Sequence, residues 1–191
     1  MANQSSTAFG LRPLRNVGQA DHNAGLGEWM KASGSAAIYH HELTAMQATG
    51  YVISAGAGGG TLVGSLNGSF YTDPTTSKPT WSNYAPNVIT ALPYTALVND
   101  DPHQMFEMRT ALTNYTDPGT VGATAPIVDS AGSGAPNYIS GFTIGAVTTA
   151  LNQVKLLGIS RDTLNQDVSV SGGVWRVMIC SHILGSNSIG I

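Results

Sequence analysis

The chain has 191 residues, of which 10% are Asp, Glu, Lys or Arg, and its formal net charge is −3. This charge disfavours nucleic acid as a partner, because phosphate binding requires clustered cations, and the single cysteine excludes an intramolecular disulfide and a thiolate metal site. The 42% hydrophobic content and 23 glycines predict one all-β domain, a barrel or a sandwich-like fold with long loops.

The low charge also bears on assembly and location. A surface of Ser, Thr, Asn, Gly and Ala can be buried against neighbouring subunits at little desolvation cost. A neutral secreted or periplasmic protein would have the same composition. The opening MANQSSTAFGLRP has no apolar signal region, and no apolar run approaches the roughly 20 residues of a membrane span. We therefore predict synthesis in the cytoplasm without export, and no membrane partner.

Residues 1–26 are predicted to form an extended N-terminal arm. Gly10 and Pro13 interrupt any regular element. A terminal segment of this kind is either disordered or held by docking, and its isolated apolar anchors favour docking on the parent domain or on a neighbour. Its cations could pair with carboxylates there. The anchors and cations are Phe9, Leu11, Leu14, Arg12 and Arg15.

Residues 27–184 are predicted to form the β domain, with a tail at 185–191. Alternating or β-branched segments bounded by turn residues indicate its strands. These are Gly27–Lys31, Tyr51–Ser54, Thr61–Tyr71, Tyr138–Ala150, Gln153–Ser160, Val168–Val170 and Trp175–His182. Gly141 and Gly145 interrupt the fourth of these, where a bulge or a close backbone approach is expected. Asn67-Gly68 is a hairpin-turn signal. Residues 36–43 fit either a strand or a short helix.

The segment Thr95–Thr110 predicts a strand, a tight acidic turn and a second strand. Ala96–Asn99 is short and β-prone, and Pro102 pushes the preceding Asp101 out of the helical region. Phe106–Arg109 then alternates apolar and polar residues, as a half-buried strand does. The simplest interpretation is an ordinary connection between strands.

The segments that resemble motifs for catalysis or metal binding lack the residue spacing that such motifs require. His40 and His41 are adjacent, which on a strand would direct their side chains to opposite faces. Asp100 and Asp101 lack the ligand spacing of a calcium loop. Ser65 stands one place early for a nucleophile elbow. We therefore predict that the protein is not an enzyme and uses no metal and no cofactor.

The polar loop 72–86 carries aromatic residues. Trp81 and Tyr84 lie within it, and Tyr71 immediately precedes it. Exposed aromatic rings in such a loop could form an interface hot spot or stack on sugars. Packing of the rings on the domain is the alternative.

Four segments, in order from residue 8 to residue 184, resemble the capsid decoration proteins of tailed bacteriophages. They are AFGLRP (8–13), LNGSFYTDP (66–74), VNDDPHQMFEM (98–108) and KLLGISRDTLNQDVSVSGGVWRVMICSHIL (155–184). The chain departs from the family pattern after Glu107, where Met108 and Arg109 stand in place of the family's glutamine.

The resemblance implies a cement protein on the outer capsid surface of a virion, which bridges major capsid subunits, usually as a homotrimer at local three-fold axes. Its partners would be the major capsid protein and itself. Contact with the capsid or an adjacent protomer is expected for Phe9, Leu11, Arg12, Leu14 and Arg15. Intersubunit polar pairs are expected for Asp100, Asp101, Glu107 and Arg109. The alternative is a carbohydrate-binding or host-attachment module that uses Tyr71, Trp81 and Tyr84.

Overall fold

The computed structural model describes residues 7–17, 26–56, 61–112, 119–148, 150–161 and 171–185. In these ranges every named secondary-structure element is a β-strand, which confirms the all-β prediction. They are β1 (Arg12–Asn16), β2 (Gly27–Met30), β3 (Leu43–Met46), β4 (Val52–Ser54), β5 (Thr61–Thr72), β6 (Pro79–Ser82), β7 (Thr95–Asn99), β8 (Gln104–Arg109), β9 (Thr124–Ala125), β10 (Ile127–Val128), β11 (Thr143–Ile144), β12 (Val154–Ile159) and β13 (Val174–Ile179).

The strands form two main antiparallel sheets. Sheet I has the order β1-β8-β13-β12-β9, and sheet II has the order β2-β7-β5-β3-β4, with β6 paired to β5. Strands β10 and β11 form a separate two-stranded ribbon. Among the described strands neither sheet closes into a barrel. The sandwich-like alternative is therefore the one that fits.

The main core lies between the sheets, because side chains alternate across a strand and each sheet turns one apolar face inward. This cluster draws residues from both sheets. Sheet I contributes Phe106, Met108, Leu156, Trp175 and Val177, and sheet II contributes Leu43, Ala45 and Leu62. The opposite face of sheet II carries a second cluster, in which Leu66, Ala96 and Val98 pack under Ile38, Ala85, Ile89 and Tyr94 of the connecting segments.

Several strands lie where the sequence predicts them. The predictions at Gly27–Lys31, Tyr51–Ser54, Gln153–Ser160 and Trp175–His182 are confirmed as β2, β4, β12 and β13, with ends that differ by one to three residues. Residues 36–42 form neither a helix nor a named strand, and only isolated bridges occur at Ile38 and His40. The strand predicted at Val168–Val170 lies outside the described residues.

The hairpin predicted at Asn67-Gly68 is wrong. Strand β5 runs unbroken through this dipeptide, and its register against β7 shifts there as at a β-bulge. Tertiary packing decides the outcome: a Cβ at Gly68 would lie 3.0 Å from the Trp81 ring and 2.7 Å from the Ser82 carbonyl oxygen. The glycine therefore makes room for a neighbouring strand.

The long strand predicted over Tyr138–Ala150 is also wrong. In its described part only Thr143–Ile144 is a strand. The backbone bonds instead to loops, with Ser140 N donating to His40 O at 2.9 Å and Gly145 N to Pro126 O at 2.8 Å. A Cβ at Gly141 would lie 2.2 Å from the Ala131 carbonyl oxygen, which is the close backbone approach that the sequence predicts at this glycine.

The strand–turn–strand predicted around the acidic turn is confirmed, although its two strands do not pair with each other. Strand β7 belongs to sheet II and β8 to sheet I, so residues 100–103 carry the chain from one sheet to the other. The described part of the N-terminal arm, residues 7–17, adds β1 to the free edge of β8. The arm thus docks on its own domain, one of the two outcomes expected for it.

Candidate functional site

The N-terminal segment is held on the domain by its backbone and by one apolar side chain. Leu11 is fully buried in the core between the sheets. Its N–H donates to His41 O at 2.7 Å, and its carbonyl oxygen accepts from Ser65 Oγ at 2.6 Å. The contact with a partner that the sequence suggests for Leu11 is therefore wrong for this conformation, because the side chain has no exposed surface.

Glu107 links β1 to the middle of sheet I. Arg12 donates from its guanidinium to Glu107 Oε2, and Ser160 Oγ donates to Glu107 Oε1 at 2.5 Å. The Arg12 guanidinium also lies 5.0 Å from the centre of the Phe9 ring. The predicted pairing of Arg12 with a carboxylate thus occurs within the chain. Both Glu107 oxygens are occupied by residues of the same protomer, where an intersubunit pair was expected.

The acidic turn ties the ends of β1 and β2 to the crossover between the sheets. Asp100 accepts from Trp29 Nε1 at 2.9 Å, and Asp101 accepts from Asn16 Nδ2 at 2.6 Å. Asp101 also accepts from the His103 backbone N–H at 2.7 Å. These hydrogen bonds give both aspartates a structural role within the chain. The intersubunit pairs expected for Asp100 and Asp101 remain predictions. The intersubunit pair expected for Arg109, which is half-buried at the end of β8, also remains a prediction.

A groove opens on the outer side of sheet I, beside β1. Its volume is about 440 Å³, and three of the chain's five arginines line it. We call it the cationic groove; its main lining residues are Leu14, Arg15, Met105, Glu107, Arg161 and Arg176. Sequence analysis identified Leu14, Arg15 and Glu107 but missed the rest. Arg161 and Arg176 carry no local signal, since only the pairing of β12 with β13, of β13 with β8 and of β8 with β1 brings them to the N-terminal strand.

The three predicted aromatics do not form one cluster. Tyr84 stacks on Tyr138, with ring centroids 3.8 Å apart, and burial together with the hydrogen bond between the two hydroxyl groups raises the pKa of Tyr84 to about 12. Tyr71 packs edge-on against Tyr94. Only Trp81 is exposed, and its neighbour across β5 and β6 is Phe70, which sequence analysis missed.

The histidine pair departs from expectation. His41 has φ 61° rather than a strand conformation, and its ring lies 3.8 Å from the His40 ring instead of on the opposite face. Burial, followed by the charges of His40 and Arg12, lowers the pKa of His41 to about 4. The pair forms part of the surface on which the N-terminal segment docks, since the His41 carbonyl oxygen accepts a hydrogen bond from the Leu11 N–H.

Glu42, next to this pair, is a buried carboxyl group. It accepts from the Tyr39 backbone N–H at 3.0 Å, but burial dominates and raises its pKa from 4.5 to about 7. Because the folded pKa exceeds the unfolded one, this group disfavours the folded state increasingly as the pH rises from 4.5 to 7.

Replacing Glu42 by glutamine is therefore expected to raise the free energy of unfolding by about 3 kcal/mol at pH 8 and to change it little at pH 4. Glutamine keeps the acceptor for the Tyr39 N–H but never ionises. Urea unfolding at the two pH values measures the difference. Glu28→Gln, at an exposed position, is the control. A gain from Glu42→Gln that did not vary with pH would contradict the account.

Two further observations concern metals and membranes. Among the described residues, no three His, Cys, Asp or Glu side chains are grouped so that they could hold a metal ion. In the same ranges no helix has the length and apolar character that crossing a membrane requires.

Comparison with known proteins gives no relative: no family model, curated protein or solved structure matches the chain.

Proposed function

We propose that the chain is a decoration protein of a tailed bacteriophage. It is made in the host cytoplasm and then binds the outer surface of the capsid. There it bridges major capsid subunits as a homotrimer at local three-fold axes. The ordered motif resemblance suggests this role. The structural observation that carries it is an exposed apolar row on sheet II.

This row crosses four strands. Phe70 of β5 lies opposite Trp81 of β6 and also opposite Thr95 of β7, which in turn lies opposite Met30 of β2. Directly opposite residues point to the same face of a sheet, so the four side chains are neighbours. Trp81 is 52% exposed, Phe70 49% and Met30 37%. Phe70 and Trp81 are thus adjacent exposed apolar side chains, and Met30 lies on the same face beyond the half-buried Thr95. Exposed apolar patches of this kind are typical of a protein–protein contact.

The surroundings of the row suit assembly. The domain has few charges, so covering its surface removes few ions from water. In an icosahedral shell each contact is repeated by symmetry, so modest interfaces add up to substantial stabilisation of the head. This is the role of a cement protein, and it requires no catalytic group.

The N-terminal segment supplies the second proposed contact. Leu11 is committed to the core, but Arg12 and Arg15 are exposed and Phe9 and Leu14 are half-buried. Arg12, Leu14 and Arg15 lie on the edge strand β1, and Phe9 precedes it, so a capsid subunit or an adjacent protomer could contact them without unfolding β1.

The experiment is an add-back of purified protein to phage heads that lack it. Wild-type protein is expected to bind saturably, and the double variant Phe70→Ser/Trp81→Ser is expected to bind at least about tenfold more weakly, because loss of an aromatic anchor typically weakens binding by 2 kcal/mol or more. Leu151→Ser, at an exposed loop position, is the matched control. The proposal fails if the wild-type protein does not bind the heads.

The exposed Trp81 and Phe70 rings also favour a second candidate, a carbohydrate-binding or host-attachment module, since flat aromatic faces stack on sugars. Glycan-array binding at micromolar strength that is lost in Trp81→Ser would support it. An inert array together with saturable head binding would eliminate it.

A further inference from the structure

The cationic groove concentrates positive charge in a chain that is negative overall. Among the described residues, Arg15, Arg161 and Arg176 line it together with one carboxylate, that of Glu107. That carboxylate is already paired with Arg12, which does not line the groove. Within the described residues no carboxylate lies within ion-pair distance of Arg15, Arg161 or Arg176.

One of these cations is fixed in place before any ligand binds. Arg176 donates from Nε to Ile159 O at 3.1 Å. A Cβ at Gly158 would lie 2.9 Å from Arg176 Nη2, so the missing side chain makes room for the guanidinium. A guanidinium held in this way loses little conformational freedom when it binds an anion, and its planar fork suits a carboxylate.

The groove also has an apolar part, formed by Leu14 and Met105. A volume of about 440 Å³ accommodates a few side chains rather than a lone ion. A free inorganic anion would leave this apolar surface uncovered. Single-stranded nucleic acid is also a poor fit, because its sites use aromatic stacking platforms and a long cationic track, whereas none of the lining residues that the structure describes is aromatic.

We propose that the cationic groove binds an acidic peptide segment of a partner protein. A carboxylate of the segment pairs with Arg161 and Arg176, Arg15 closes the open side, and a neighbouring apolar side chain of the segment covers Leu14 and Met105. The proposal does not depend on the capsid role: the groove would bind a peptide even if the protein bound no heads.

The test uses a short fluorescein-labelled peptide in which leucine alternates with aspartate and glutamate. Its competitor series contains the isosteric amide peptide, inorganic phosphate and a single-stranded DNA oligonucleotide. Binding is followed by fluorescence anisotropy. The acidic peptide is expected to bind at least about tenfold more tightly than the amide peptide, since hydrogen bonds from a guanidinium to a carboxylate are stronger than those to a neutral amide. Its affinity should fall as salt rises.

Arg161→Gln and Arg15→Gln are each expected to weaken peptide binding about three- to tenfold. Both residues are exposed, so the variants should retain the wild-type melting temperature. Lys78→Gln removes one exposed positive charge from the distant turn between β5 and β6 and should leave binding unchanged. An equal loss in Lys78→Gln would show a general charge effect and overturn the groove assignment.

Two other results would overturn the peptide assignment. The amide peptide could bind as tightly as the acidic one, which would mean that the carboxylates are not recognised. Phosphate or the oligonucleotide could displace the acidic peptide at equal or lower concentration, which would assign the groove to a free anion or to nucleic acid.

Discussion

Replacing Leu11 by alanine is expected to lower the free energy of unfolding by about 3 kcal/mol, within the range for large-to-small changes at fully buried leucines. The side chain is completely buried in the core between the sheets, and the segment around it has no other buried apolar anchor in the described residues 7–17. Its removal leaves a cavity and also loosens the attachment of β1 to the edge of β8.

Leu14→Ala is the matched control, because Leu14 lies two residues into β1 and is only half-buried. This substitution should lower the free energy of unfolding by less than about 1 kcal/mol. Urea unfolding followed by tryptophan fluorescence measures both variants. Equal losses would contradict the account, because they would place Leu11 outside the core.

This expectation decides how the N-terminal contact can be tested. Deletion of residues 1–15 would remove Leu11 together with most of β1, so a loss of head binding would report damage to the domain. Phe9→Ser and Arg15→Gln instead change side chains that are partly or largely exposed and leave the core anchor in place. These variants separate docking on the capsid from folding of the domain.

Gly10→Ala is the second substitution with a large expected effect, about 3 kcal/mol of destabilisation. Gly10 has φ 70°, and an added Cβ would lie 2.2 Å from the His41 carbonyl oxygen and 2.7 Å from Ser140 Cβ. The first contact is with backbone, which cannot move aside as a flexible side chain does. The substitution therefore destabilises the fold in two ways: through the conformational cost of a positive φ and through a steric clash with the His41 backbone. It also disturbs the contacts that hold Leu11 in the core.

Gly34→Ala provides the matched control, since Gly34 has φ 66° but nothing within 4 Å of the added Cβ. It should cost only the conformational part, about 1 kcal/mol. Thermal and urea unfolding of the two variants isolate the effect of close packing. If both glycines tolerate alanine equally well, the tight contact between residue 10 and the histidine pair does not exist.

Local pattern was sufficient for the strands with clear alternation or β-branched residues. Strands β12 and β13 illustrate this, because each presents apolar side chains at alternate positions to one core. Pattern failed where contacts from distant segments decided the conformation. Asn67-Gly68 has turn chemistry, yet β3, β6 and β7 pair along β5 on both sides of it and keep the strand continuous.

In the candidate site, too, local sequence pattern identified some residues, whereas contacts between distant segments could not be predicted. The anchors and cations of the N-terminal segment were recognisable from sequence because they interrupt a polar strip. Their partners were not, since Arg12 meets Glu107 across 95 positions of the chain and Ser160 reaches the same carboxylate across 53. Sequence spacing carries no information about such pairs. The cationic groove was missed for the same reason.

The most direct test of the proposed function is the copy number of the protein on purified heads of the phage that encodes it, measured by quantitative mass spectrometry against the major capsid protein. A trimer on every local three-fold position gives roughly one copy per capsid subunit. We predict that ratio, unchanged after washing in high salt, because the proposed contact through Phe70 and Trp81 is apolar. Heads that carry no copies of the protein would contradict the account.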